Sequence, residues 1–170
     1  LVGDLLAATL AVMSQLVLLL GVVYALGARD RVIRTRTFYP LFLTMSAALT
    51  GAFLTGDLFN FFVFAELLVI SGAALTALSD DRFGVEAAYK YFYISLLASI
   101  FLLLGIGSLY ISYGTLNMAD LAQRIGADPG QPLLAIGIVL LIATFMVKSA
   151  VFPLHFWQPD FHTASPTAVS

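Results

Sequence analysis

Leu58-Phe-Asn-Phe-Phe-Val-Phe-Ala-Glu66-Leu-Leu-Val-Ile-Ser-Gly-Ala-Ala-Leu-Thr-Ala-Leu-Ser79 decides the fold. Between Asp57 and the Asp80-Asp81-Arg82 cluster it is apolar throughout, apart from Asn60, Glu66 and a few small hydroxyls. A bilayer core about 30 Å thick takes roughly 20 such residues per helical crossing. Comparable blocks run over residues 5–27, 38–56, 85–113 and 132–151. The reading is therefore all-α: a polytopic transmembrane bundle of about five spans, forming a single membrane domain over residues 1–170. A proline-punctuated tail, 152–170, follows the last span, with Pro153 expected to break it.

Composition supports this. Hydrophobic residues make up 61% of the chain and charged residues 11%, with a mean hydropathy of +0.98. Soluble domains carry about 25% charged residues, so this chain has too little polar surface to cover a water-soluble fold. A net charge of −2, with no basic patch, gives no sign of a nucleic-acid partner. The absence of cysteine excludes disulfides, Fe–S ligation and thiolate chemistry. His155 and His162 lie too close together to hold a haem across two helices, and with Asp160 they make a poor metal set. No cofactor, metal or catalytic chemistry is expected in this chain. It starts at Leu1 rather than Met and reads as an internal stretch of a longer membrane protein.

Loops 28–37 and 80–90 hold Arg29, Arg31, Arg34, Arg36, Arg82 and Lys90, against Arg124 alone on the opposite side. The positive-inside rule makes these two loops cytoplasmic and the protein a multi-pass component of the cell membrane. Between Gly114 and Gln131, Met118, Leu121, Ala122 and Ile125 recur at helical spacing. This predicts a short helix along the outer surface, capped by Asn117. Ala48, Ala52 and Gly56 form a small-residue stripe suited to close helix packing.

Two charges fall inside spans. Glu66 lies nine residues after Asp57, roughly 13 Å deep by helical rise. Lys148 lies sixteen residues after Pro132, roughly 24 Å deep by the same rise. A charge at a helix centre costs about 2.5–3.5 kcal/mol on insertion scales, so each requires a partner, water or neutrality. Buried acid and base chains of this kind mark proton relays. The bland alternatives are a protonated structural carboxyl at Glu66 and a snorkelling Lys148. Lys90 follows Glu86 at i, i+4, which is either a surface pair or a third member of a relay. Pro153 follows Lys148 by five residues, and broken helices build ion sites in transporters. His155, Asp160 and His162 beyond it are either a proton path to the cytoplasm or ordinary interfacial polar residues.

Thr55-Gly-Asp-Leu-Phe-Asn-Phe-Phe-Val-Phe-Ala-Glu66 resembles the glutamate-bearing helix of antiporter-like subunits. These occur in respiratory complex I, membrane-bound hydrogenases and Mrp-type multisubunit sodium/proton antiporters. Lys148-Ser-Ala-Val-Phe-Pro-Leu-His-Phe-Trp-Gln-Pro-Asp160 resembles their lysine-bearing broken helix, and Glu86-Ala-Ala-Tyr-Lys-Tyr-Phe92 the lysine-bearing helix between the two. Gly114-Thr-Leu-Asn-Met-Ala-Asp-Leu121 is most similar to the D subunits of the Mrp group. One departure is Ala168, where the family's usual Pro-Thr-Pro-Val-Ser has a second proline.

The resemblance implies about fourteen helices in two inverted repeats, of which this chain covers most of the first. It implies that Glu66 and Lys148 form a switching ion pair with Lys90 beside Glu66. The implied function is Na+/H+ exchange in concert with other membrane subunits. The alternative is proton pumping within an NADH–quinone oxidoreductase or hydrogenase, with electron transfer in other chains.

Overall fold

A computed structural model describes residues 2–28, 30–79 and 81–170. Arg29, one of the loop charges, and Asp80, which helps close the third span in sequence, lie outside the described residues. Seven helices follow one another among the described residues: α1 Leu5–Gly27, α2 Phe38–Leu54, α3 Leu58–Ala77, α4 Arg82–Tyr113, α5 Met118–Ala127, α6 Leu134–Lys148 and α7 Trp157–Ala164. α1, α3 and α4 are each long and apolar enough to cross a membrane, whereas α2 and α6 have 17 and 15 residues. By helical rise those two span only about 25 and 22 Å, short of a bilayer core of about 30 Å.

Each long helix starts where an oxygen side chain can take up free amide groups. Asp4 accepts from Ala7, Asp57 from Phe59 and Asn60, and Asp81 from Gly84. The Asp81 cap explains why α4 begins at Arg82 and not at Val85, the sequence expectation.

α4 is the spine, and α3, α6 and α7 all pack against it. Small residues set the spacing where α4 meets α6. A side-chain carbon at Gly137 would meet Ser108 Oγ and Leu109, and one at Gly105 would meet the Gly137 carbonyl. Close backbone approach of this kind is how helices associate where lipid is as apolar as the side chains. Thr144 Oγ1 adds a hydrogen bond to the Ala98 carbonyl, 3.2 Å. Between α2 and α3 the tight contact is made by Gly51, which faces the ring of Phe64. Of the expected stripe Ala48 is fully buried, but Gly56 lies outside the helix against Val2. α1 is joined to α2 by Gln15, which donates to Thr50 Oγ1 (2.6 Å) and accepts from Ser46 Oγ (2.8 Å).

The two ends of the bundle are tied differently. At one end Ala25, Ile33, Phe38, Phe42 and Leu75 form a buried cluster, against which Leu78, Ala168 and Val169 pack. The α1–α2 loop, the α3–α4 turn and the chain after α7 therefore share this end. At the other end the starts of α3 and α5 satisfy each other. Leu58 N–H donates to the Leu116 carbonyl and Met118 N–H to the Gly56 carbonyl, both at 2.9 Å. Each first helical amide thus finds an acceptor just before its neighbour's cap. α5 is the expected short helix, with Asn117 accepting from Ala119 and Asp120, and Leu121 buried. Arg124 Nε bonds Asp120 at 2.9 Å and holds that carboxyl below its ordinary range. Its contribution is present at neutral pH and fades only as the pH falls past the ordinary carboxylate value towards the lowered one.

Asn117→Ala removes the acceptor for two α5 amides beside this reciprocal bridge. It is expected to destabilise the bundle by about 1 kcal/mol, read as a lowered midpoint of thermal unfolding in detergent, with Asn117→Asp close to wild type.

Candidate functional site

Lys148 is the last residue of α6. The sequence placed the span's end at Val151 and the break at Pro153; the helix instead stops at Lys148, five residues before the proline. The physical reason is a C-terminal capping motif built from three amides. Ser149 N–H reaches the Phe145 carbonyl, Ala150 N–H the Val147 carbonyl, and Val151 N–H reaches back to Met146 at 3.0 Å. The last two are the paired bonds of a Schellman cap, which needs a left-handed residue between them. Ala150 fills that place with φ +50°. Pro153 then follows in an irregular segment with a cis Phe152–Pro153 bond, and α7 starts at Trp157. The indole Nε1 of Trp157 folds back to donate to the Val147 carbonyl at 3.3 Å, in a buried position. Carbonyls freed at membrane depth persist only where protein or water satisfies them, and here the cap and the indole do so.

Lys148 lines a cavity of about 290 Å³ walled by Phe61 and Ala65 of α3, Tyr91 and Ser95 of α4, and Trp157. Most of this wall is apolar. The polar exceptions are the ammonium group, the Tyr91 hydroxyl and the Ser95 hydroxyl.

Glu66 lies one residue beyond Ala65 and turns towards α4, where its carboxyl accepts a hydrogen bond from the Ser99 hydroxyl. Ser99 Oγ also lies 2.8 Å from the Ser95 carbonyl. One hydroxyl proton cannot serve both acceptors at once, so Ser99 has two alternative bonds available. No ion pair joins Glu66 to Lys148 among the described residues. Ser95 lines the same cavity as Lys148, and Ser99, one turn further along α4, holds Glu66. The sequence reading missed both serines. Their signal was present: Tyr91, Ser95 and Ser99 repeat at i, i+4, i+8 and mark one polar stripe on an apolar helix.

Lys90 is not beside Glu66. Its ammonium group pairs with Glu86 Oε1 at 2.8 Å and Asp160 Oδ2 at 2.9 Å. It lies nine residues from Ser99, roughly 13 Å along α4 by helical rise, which puts it at a different level from the carboxyl. His155, Asp160 and His162 are not joined to one another. His155 is exposed, with its ring 5.6 Å from that of Phe152. His162 is exposed and shares a hydrogen bond with Ser170 Oγ.

The chain is similar in sequence and fold to known membrane proteins. Residues 55–170 match the family model described as NADH:quinone oxidoreductase/Mrp antiporter, TM. The chain is 36% identical to the D subunit of the Na(+)/H(+) antiporter of Alkalihalophilus pseudofirmus, over 100% of its own length and 34% of that protein. It is 41% identical to the N subunit of the NADH-quinone oxidoreductase of Desulforudis audaxviator, over 78% of its length and 26% of that protein. Among solved structures, the Mrp complex of a Dietzia species superposes with a TM-score of 0.87 at 33% identity, covering 98% of this chain and 31% of that one. The chain thus spans about a third of the length of the relatives it matches.

A left-handed alanine costs about 1–2 kcal/mol relative to an unstrained residue, and glycine at that place carries no such penalty. Ala150→Gly is therefore expected to raise stability by up to about 1 kcal/mol, seen as a higher midpoint of thermal unfolding in detergent.

Proposed function

Because the chain belongs to the NADH:quinone oxidoreductase/Mrp antiporter family of membrane proteins, we propose that it forms one ion-translocating half of a component of a multisubunit Na+/H+ antiporter. Glu66 and Lys148 would be its switching charges. The observation that carries this reading is their placement. Lys148 ends a broken helix on the wall of a cavity, and Glu66 reaches the serine next to that wall from another helix. An acid and a base so arranged exchange partners when the segment between them moves. In one state the ammonium group pairs with the carboxylate across the cavity. In the other, Glu66 bonds Ser99, as it does here, and Lys148 is released to a group further along the path. Loss of the opposite charge changes the cost of holding a proton at each site, which couples proton movement to the position of the break.

The working complex includes other membrane subunits, with Na+ and H+ as the exchanged ions. The shared end formed by the α1–α2 loop, the α3–α4 turn and the first turns of α4 faces the cytoplasm, as the arginine bias suggests. A second reading has one specific support, the similarity to the N subunit of an NADH-quinone oxidoreductase. There the same charges would be driven by electron transfer in partner chains. Exchange that persists in vesicles without NADH or quinone favours the antiporter; exchange that depends on them favours the second reading.

Glu66→Gln and Lys148→Ala, made in the full-length chain within its assembled complex, are each expected to cut Na+-dependent proton exchange by roughly a hundredfold. A hundredfold loss of rate corresponds to about 2.7 kcal/mol in the barrier. Wild-type exchange in both variants, at normal assembly, would overturn the proposal.

A further inference from the structure

Lys90 joins two helices through charge. Glu86 is one turn away on α4, whereas Asp160 belongs to α7, beyond the break. Lys90–Asp160 is the charged contact between α4 and α7 among the described residues. Around it the seat of α7 is aromatic. The ring of Tyr91 lies 4.5 Å from Phe161 and 5.2 Å from Trp157, centroid to centroid. Trp157 in turn holds the Val147 carbonyl, one residue before Lys148. At its far end α7 is tied to α3 by the buried hydroxyl pair Thr76–Ser165, 2.8 Å. A continuous set of contacts therefore runs from Lys90 through Asp160, α7 and Trp157 to the end of α6.

We propose that Lys90 is a positioning residue for Lys148, and not a proton carrier: through Asp160 it seats α7, and α7 fixes the break on which Lys148 stands. This rests on the reading of Lys148 as a switching charge. The geometry favours a fixed charge over a titrating one. Lys90 is held by two carboxylates, and Ser99, the α4 partner of Glu66, lies about two and a half turns further along the helix. Half-exposed ion pairs contribute little to overall stability, about 0–1 kcal/mol. Their directional value is larger where, as here, one pair sets the seating of a short helix.

The distinction is testable because arginine keeps the charge but does not deprotonate in proteins. A latch accepts a guanidinium group; a proton carrier does not. In the full-length chain within its complex, Lys90→Met and Asp160→Asn are expected to slow exchange about tenfold, since small misplacements of a reacting group are costly. Lys90→Arg is expected to stay within about twofold of wild type. The reversed pair, Lys90→Asp with Asp160→Lys, is expected to recover most of the loss. A second readout follows the seat of α7 directly. A thiol introduced by Ser165→Cys, buried against Thr76, is expected to be protected from maleimide in wild-type and Lys90→Arg backgrounds and labelled in Lys90→Met. Two results would overturn the proposal: full exchange in Lys90→Met, or a Lys90→Arg variant as slow as Lys90→Met while the thiol remains protected. Failure of the switching-pair reading would appear separately, as normal exchange in the Glu66 and Lys148 variants with the labelling pattern unchanged.

Discussion

A helix that ends inside an apolar environment leaves carbonyls with no water to bind, and the way this chain meets that cost governs its candidate site. α6 ends at Lys148 with the Phe145, Met146 and Val147 carbonyls capped by the Schellman turn and by the indole of Trp157. Without those partners a break at this depth would be untenable. With them, a lysine stands at the free end of a short helix, facing a cavity, in place of a position in a helix wall. The indole also couples the break to α7, so the seat of α7 and the placement of Lys148 become one structural question.

The sequence showed the membrane class, the apolar helical blocks and the two stranded charges with little ambiguity. Apolar block length is dictated by bilayer thickness, and a charge within such a block stands out at once. The limits of α1 matched residue for residue, because Asp4 caps its start and a charged loop follows its end. The end of α6 did not match. Proline is the conspicuous breaker, but here a left-handed alanine three residues before it closes the cap, and alanine carries no sequence signal for that role. Ser99 was missed for a similar reason: a serine on an apolar helix is common, and only its spacing from Ser95 and Tyr91 marks it.

The pairing of charges was the least legible part. From sequence, Lys90 had Glu86 within reach at i, i+4, and that contact is present. Nothing local indicated Asp160, which lies seventy positions later and reaches Lys90 only once α7 folds back against α4. The resemblance to antiporter-like subunits had set Lys90 beside Glu66. The helix geometry separates the two and gives Glu66 to Ser99 instead. Long-range partners of this sort depend on tertiary packing, which periodicity does not encode.

The central claim is that Glu66 and Lys148 act as one unit. A double-mutant cycle on exchange rate, using Glu66→Gln, Lys148→Met and the two together in the assembled complex, tests it most directly. Coupled charges are expected to be strongly non-additive, with the double variant no slower than the worse single one and a coupling energy within about 0.5–3 kcal/mol. Additive losses, the double variant falling by the product of the two single effects, would show two independent sites and contradict the account.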